Sequence, residues 1–349
     1  MKTNFSLPLK KVFVIAEVGC NHNGDISVAE RLIEIAAKSG ADAVKFQSFT
    51  PDNMTIKEAP KAEYQIKATG TSETQFQRLE RMKLDKEKHK RLINTCNNNG
   101  IIFCSSPFDN DNAQMLHDLN VPFFKIPSGE ITNVQLIKLI SSFNKPIILS
   151  TGMSTLGEIE DALSIIGSNE SVILMHCVSD YPARWEEANL RTIQTLKNAF
   201  HTQVGFSDHT QGIELAMVAV GLGAVVIEKH ITLDKNMHGG DHKASLEPKD
   251  FASLVEKIRT LEIALGDGIK RCMPSEKSVR LVARKSIVST KHIRKGQIIS
   301  ENDVAIKRPG TGIQPKYINL IIGSTAIKDI HVDKLINWEN VTLGYKNDG

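Results

Sequence analysis

The sequence predicts an α/β protein: a (β/α)8 barrel followed by a small β-rich domain. Eight short apolar runs recur through residues 12–234, each ending in a cluster of polar, chemically capable side chains. Segments with helical periodicity separate them, such as SVAERLIEIAAKSG (27–40) and GIELAMVAVGLG (212–223). Beyond residue 280 the pattern changes to short β-like runs between turn signals. Strand and helix alternating eight times point to a parallel sheet closed into a barrel, whose chemistry sits at the C-terminal ends of the strands.

Taken in order, the runs are VFVIAEVGCNHNG (12–24), AVKFQSF (43–49), IIFCSSPFD (101–109), FFKIPSGE (123–130), PIILSTGM (146–153), SVILMHCVSDYP (171–182), QVGFSDHT (203–210) and AVVIEKHITLD (224–234). The apolar half of each reads as a buried strand and the polar half as the loop that follows. The rim so formed gathers Glu17, Lys45, Ser106, Lys125, Ser128, Glu130, Ser150, His176, Tyr181, Ser207, His209, Glu228 and His230. That many ionisable and hydroxyl groups suit an enzyme acting on an anionic, polyhydroxylated substrate. Residues 50–75 read as a long loop on the functional face, either a substrate-covering element or a surface loop, and 76–99 as a helical segment. PKDFASLVEKIRTLEIAL (248–265) reads as the last barrel helix, with Pro248 at its first position. The barrel domain is thus placed at 1–265 and a linker rich in Gly and charge at 266–280. SIVS, QIIS and VAIK supply the strands of a third segment, 281–349. A β-rich unit that small folds only marginally alone, so docking on its own barrel or a partner's is expected.

The 349 residues carry a net charge of +3, with no long Lys/Arg block and 5% aromatic content, which argues against a nucleic-acid partner. No apolar stretch is long enough to span a membrane. The opening MKTNFSLPLKK resembles a weak signal-peptide start, but no small-residue cleavage site follows. Five cysteines with no CxxC pair make a disulfide framework an unsuitable reading, and a reducing cytoplasm is the simplest expectation.

Three constellations carry chemistry. His209 and His230 end consecutive strands; neighbouring strands lie about 4.8 Å apart, so both imidazoles can reach one point. With the nearby carboxylates Asp208 and Glu228 they suit a divalent metal such as Mn²⁺, although either histidine could instead be a hydrogen-bonded structural residue. Lys45 and Lys125 lie between apolar neighbours, where a lysine seldom goes unpaired. With Ser106, Ser128, Ser150 and Ser207 they can cradle a phosphate or carboxylate; the alternatives are barrel-interior ion pairs with Glu17 or Glu130, or a Schiff-base lysine. Glu17 and Glu130 can act as acid or base, hold a sugar hydroxyl, or close that charge network. No GxGxxG or Walker spacing is present, which disfavours a nucleotide site. In CNHNG, Asn21, His22 and Asn23 read first as a turn held by its own side chains.

Taken together, AEVGCNHNG, VKFQSF, APKAEYQ, SSPFD, KIPSGE, ILSTGM, HCVSDYP, GFSDHT, IEKHITLDK, DHKAS and KRPGTG resemble the sialic acid synthase family, whose members condense phosphoenolpyruvate with an N-acylated hexose. The resemblance implies a TIM barrel with a C-terminal antifreeze-like (SAF) domain, assembled as a domain-swapped homodimer. It implies that Lys45, Ser106, Lys125, Ser128, Ser150 and Ser207 hold phosphoenolpyruvate, and that His209 and His230 bind Mn²⁺, with Mg²⁺ or Co²⁺ as alternatives. It places Glu17, Tyr181 and Asp241 against the acceptor sugar and Glu130 near the reacting carbons, with Arg308 reaching the sugar from the other subunit. Two departures stand out. Gly239-Gly240-Asp241 replaces the family's usual Gly-Pro-Asp, and Ser179 stands where some relatives carry Asn. N-acetylmannosamine, giving N-acetylneuraminate, is the first expectation for the acceptor. A 2,4-diacetamido-2,4,6-trideoxymannose, giving N,N'-diacetyllegionaminate, is second and pseudaminate synthesis third. The rival classes are a Schiff-base aldolase and a non-catalytic sugar- or ice-binding protein built on 281–349.

Overall fold

The computed structural model describes residues 5–70, 73–167 and 171–343. The chain divides after Gly266 into two compact units. In the first, eight parallel strands are β1 (Phe13–Gly19), β2 (Ala43–Ser48), β3 (Ile102–Pro107), β4 (Phe124–Ile126), β5 (Ile147–Ser150), β6 (Val172–Cys177), β7 (Gln203–Asp208) and β8 (Val226–His230). They pair in the order β3-β2-β1-β8-β7-β6-β5-β4, a nearly closed barrel whose ladder ends are β3 and β4.

The period-two alternation of a strand explains how the sequence builds a site on top of a core. Ile15, Ala43, Cys104, Phe123, Ile148, Met175 and Val226 fill the barrel interior. Two residues further along each chain segment come Glu17, Lys45, Ser106, Lys125, Ser150, Cys177 and Glu228, all buried. On β7 the corresponding pair is Gly205 and Ser207. A Cβ at Gly205 would collide with Met175 Sδ and stand 2.7 Å from Val226 Cβ, so the interior has no room for a side chain there. The opposite parity (Val14, Ala16, Val44, Phe46, Phe103, Leu149, Leu174, Phe206, Ile227) packs outward against the helices.

Phe5 joins the interior from below. The ring of Phe5 lies 4.2 Å from Phe123 and 5.0 Å from Phe13, centroid to centroid. Each such aromatic pair contributes about 0.5–1.5 kcal/mol beyond the area it buries.

The helices follow local rules. Asp25 Oδ1 accepts from Ser27 N at 2.7 Å and starts the helix Ile26–Lys38, which buries Ala29, Leu32, Ile33 and Ala36 at helical spacing. Thr155 and Glu158 form a reciprocal capping box ahead of Leu156–Ile166. Pro248 opens the helix Pro248–Leu265. The stretch 50–99 is more segmented than its periodicity predicts: helices Pro51–Met54, Glu63–Thr69 and Gln75–Met82 precede Lys86–Asn98. The expected single helix over 76–99 breaks because Asp85 caps a new one, its Oδ1 accepting from Lys88 N at 2.8 Å.

In the second unit β9 (Ser286–Ser289) pairs antiparallel with β10 (Val304–Lys307), and β11 (Thr325–Ala326) with β12 (Val341–Thr342). Ile287, Ile293, Ile299, Ile313, Ile321 and Ile336 form its core. A helix, Lys277–Ala283, starts within the segment read as a linker and runs past its end; its Val279, Leu281 and Val282 are exposed. With no apolar stripe turned to a core, it carries no helical periodicity. Among the described residues no helix is long and apolar enough to cross a membrane.

Candidate active site

The C-terminal ends of the strands surround a cavity of about 280 Å³. Its floor is a buried charge network. Lys45 Nζ lies 2.8 Å from Glu17 Oε2 and 3.8 Å from Glu228 Oε2, and Lys125 Nζ lies 3.5 Å from Glu228 Oε2. Lys125 also donates to Ser150 Oγ at 2.7 Å, Lys45 to Ser106 Oγ at 3.4 Å, and Ser207 Oγ to Glu228 Oε1 at 2.8 Å. The two carboxylates titrate in opposite directions. Burial raises Glu17 to about 7, with Lys45 only partly offsetting it. Burial acts on Glu228 in the same sense, but Lys125 and Lys45 together hold it down at about 2. Two cations, two acids and three hydroxyls packed this way can exchange carboxylate partners for an entering phosphate or carboxylate.

His209 and His230 stand above this floor, their ring centroids 5.5 Å apart. His209 Nδ1 donates to the Val178 carbonyl at 2.6 Å, which leaves Nε2 with a lone pair 3.2 Å from Ser207 Oγ. Burial lowers His209 to about 4 and puts His230 well below its ordinary value, so both rings are neutral. His230 Nδ1 is buried with no hydrogen-bond partner. Two neutral imidazoles with available nitrogen lone pairs fit a divalent cation. Among the described residues no group of three His, Cys, Asp or Glu is placed to hold a metal, so water or substrate oxygens would fill the remaining positions.

Asp208 does not join them. Its parity turns it outward, where Oδ2 meets Lys229 Nζ at 2.8 Å, both side chains fully buried. Asp208 Oδ1 accepts from Thr210 N at 2.9 Å and Thr210 Oγ1 at 2.6 Å. This clamp joins β7 to β8 one residue before each imidazole.

Tyr181 lies 4.2 Å from His209 and 5.5 Å from His230, ring to ring, and burial keeps its phenol protonated. Ser128 Oγ accepts from Gly152 N at 2.9 Å and lies 3.2 Å from Cys177 Sγ. The cavity lining thus brings together Glu17, Lys45, Ser106, Lys125, Ser128, Ser150, Tyr181, Ser207, His209 and His230. Glu130 does not line it; the half-buried carboxylate accepts from Asn133 Nδ2 at 2.7 Å, and burial raises its pKa. Asp241 does not line it either; it is buried with Oδ1 lacking a hydrogen bond, its charge felt by Tyr64 and Tyr181. Arg308 belongs to the second unit, where Nε donates to the Ala283 carbonyl at 3.0 Å.

The cavity also includes Gln47, Tyr64, Phe108, Met153 and Cys177, which the sequence reading did not single out. Strand parity could have found Gln47, two residues after Lys45, and Cys177, two after Met175. Tyr64 and Met153 sit outside the strands, where no period applies; Met153 adopts φ +64°.

The NeuB family model matches residues 32–270, and a SAF domain model matches 284–342. The chain belongs to the NeuB family. It is 49% identical to the N,N'-diacetyllegionaminic acid synthase of Campylobacter jejuni over 94% of this chain and 99% of that protein. It is 42% identical to the synthase of the same name from Legionella pneumophila, over 94% of each chain. Among solved structures, the N-acetylneuraminic acid synthetase of Leptospira borgpetersenii matches with a TM-score of 0.69 at 35% identity, covering 77% of this chain and 90% of that one. For this NeuB-family chain the (β/α)8 barrel and C-terminal SAF domain expected from the sequence are both present.

Proposed function

We propose that this protein condenses phosphoenolpyruvate with 2,4-diacetamido-2,4,6-trideoxymannose to give N,N'-diacetyllegionaminate and phosphate. The paired Lys45–Glu17 and Lys125–Glu228 contacts beneath two neutral imidazoles carry the reading, because they supply an anion cradle and an electrophile site within one cavity. The choice of acceptor reverses the order expected from sequence, where N-acetylmannosamine stood first. What supports the reversal is the high identity to two proteins named as diacetyllegionaminic acid synthases.

In this mechanism Lys45 and Lys125 take the phosphate and carboxylate of phosphoenolpyruvate, with Ser106, Ser128, Ser150 and Ser207 donating hydroxyl hydrogen bonds. Carbon 3 attacks C1 of the open-chain acceptor, water adds at the cationic carbon 2, and the tetrahedral intermediate loses phosphate by C–O cleavage. A divalent cation, Mn²⁺ foremost, would be held by His209 and His230 and would supply Lewis-acid polarisation of the acceptor carbonyl. Glu17, at about 7, can hold or release a proton near neutrality and orients the sugar. Tyr181 and Asp241 face the sugar; Glu130, held by Asn133 outside the cavity lining, takes no part in these steps. Arg308 reaches the acceptor from a partner subunit of a domain-swapped homodimer. Phosphate release measured with each acceptor tests the assignment; turnover confined to N-acetylmannosamine would replace it with N-acetylneuraminate synthesis. Mixed dimers of Arg308→Ala and a Lys125→Ala barrel variant test swapping, since half of the sites would regain both groups.

A further inference from the structure

Beyond the reacting carbons, the cavity has a wall that the chemistry above does not use. Tyr64 comes from the helix Glu63–Thr69, outside the barrel strands, and lines the same cavity as His209 and His230. Its ring lies 5.0 Å from that of Tyr181, which in turn stands 4.2 Å from His209. A line of rings therefore runs outward from the imidazoles to Tyr64. An acceptor with its carbonyl carbon at the imidazoles extends its distal substituents along this line.

Tyr64 is held from two sides. Its hydroxyl accepts from Gln65 Nε2 at 3.1 Å and keeps its own proton to donate. Its ring edge rests on Gly240, where an added Cβ would stand 3.3 Å from Tyr64 Cε2 and 3.3 Å from Gln65 Cγ. That is closer than the ~3.5–4.0 Å of an ordinary carbon contact. Gly240 does not occupy the left-handed region, so its backbone does not demand glycine. What the position uses is the missing side chain, which lets Tyr64 stand where it does. The next residue, Asp241, is buried with Oδ1 unpartnered.

We propose that Tyr64, in the place Gly240 leaves for it, is a specificity-determining residue that receives a distal acylamino group of the acceptor sugar. An aromatic face beside a hydroxyl donor matches that group: the amide plane and methyl lie on the ring and the amide oxygen accepts from the phenol. The assignment rests on the condensing reading above and deepens it, because only an acceptor with a second acylamino group fills this wall.

The test compares kcat/KM for 2,4-diacetamido-2,4,6-trideoxymannose and N-acetylmannosamine in the Mn²⁺-loaded full chain, its Tyr64→Ala, Tyr64→Phe and Gly240→Ala variants. Tyr64→Ala should cut kcat/KM for the diacetamido sugar about tenfold more than for N-acetylmannosamine, mainly through KM, with the KM for phosphoenolpyruvate unchanged. Tyr64→Phe should recover most of the loss. Gly240→Ala should raise the KM of the diacetamido sugar several-fold. Equal losses on both acceptors, a shifted KM for phosphoenolpyruvate, or no loss in Tyr64→Ala would overturn the assignment while leaving the condensation standing. A parent protein that releases no phosphate with either sugar would overturn both.

Discussion

Replacing Lys229 with methionine isolates the energetics of the clamp beneath the imidazoles. Lys229 Nζ lies 2.8 Å from Asp208 Oδ2 and both side chains are completely shielded from solvent, so removal of the cation strands a buried carboxylate. Breaking one half of such a pair costs about 3–5 kcal/mol. Asp208 Oδ1 would keep its bonds from Thr210 N and Oγ1, which places the expected cost near the lower end, about 3 kcal/mol. Set against a typical domain stability of ~5–15 kcal/mol, that shift is readily measured by urea unfolding of the metal-free protein. The double variant Asp208→Asn/Lys229→Met removes both charges, keeps an Oδ1 acceptor for Thr210 N and Oγ1, and should recover most of that loss. Because each residue immediately precedes an imidazole across the β7–β8 ladder, the double variant should still bind Mn²⁺ more weakly in calorimetry. A single variant as stable as the parent, to within about 0.5 kcal/mol, would refute the reasoning.

Other outcomes follow from the same geometry. Gly205→Ala places a methyl against Met175 and Val226 and should cost about 1–3 kcal/mol, read as a lowered Tm; an unchanged Tm would mean the barrel interior yields freely. His209→Ala should abolish tight Mn²⁺ uptake and reduce phosphate release on the order of a hundredfold or more, whereas undiminished turnover would remove the metal role. Borohydride with pyruvate should leave both Lys45 and Lys125 unmodified by mass spectrometry, since the proposed chemistry forms no imine; a reduced adduct on either would favour an aldolase. Glu17, raised by burial from 4.5 to about 7, binds a proton in the folded state that the unfolded chain has released between those values. Its contribution to stability is therefore present below pH 4.5 and declines as pH rises towards 7. Glu17→Gln should flatten that part of the urea stability profile, and parallel profiles for parent and variant would contradict the assigned shift.

The barrel was legible because each strand repeats one pattern: apolar residues of both parities, then a polar side chain at an inward position. Lys45 after Ala43, Ser150 after Ile148 and Glu228 after Val226 are that pattern read directly. Parity also keeps Asp208 away from the imidazoles: it adjoins His209 in sequence, but one residue along a strand is the opposite face. Other features leave no periodic trace. Asp85 breaks a helix through a single capping bond, and Tyr64 reaches the cavity from a segment whose position depends on Gly240, 176 residues away. The choice of acceptor was not fixed by the residues at the chemical centre, because those serve the shared condensation rather than the distal substituents.

The most direct test of the central claim is metal-dependent phosphate release from phosphoenolpyruvate with 2,4-diacetamido-2,4,6-trideoxymannose and with N-acetylmannosamine, each repeated with chelator. The account predicts release that chelator abolishes, with the higher kcat/KM on the diacetamido sugar. Absence of release with both sugars from folded, Mn²⁺-loaded protein would contradict it.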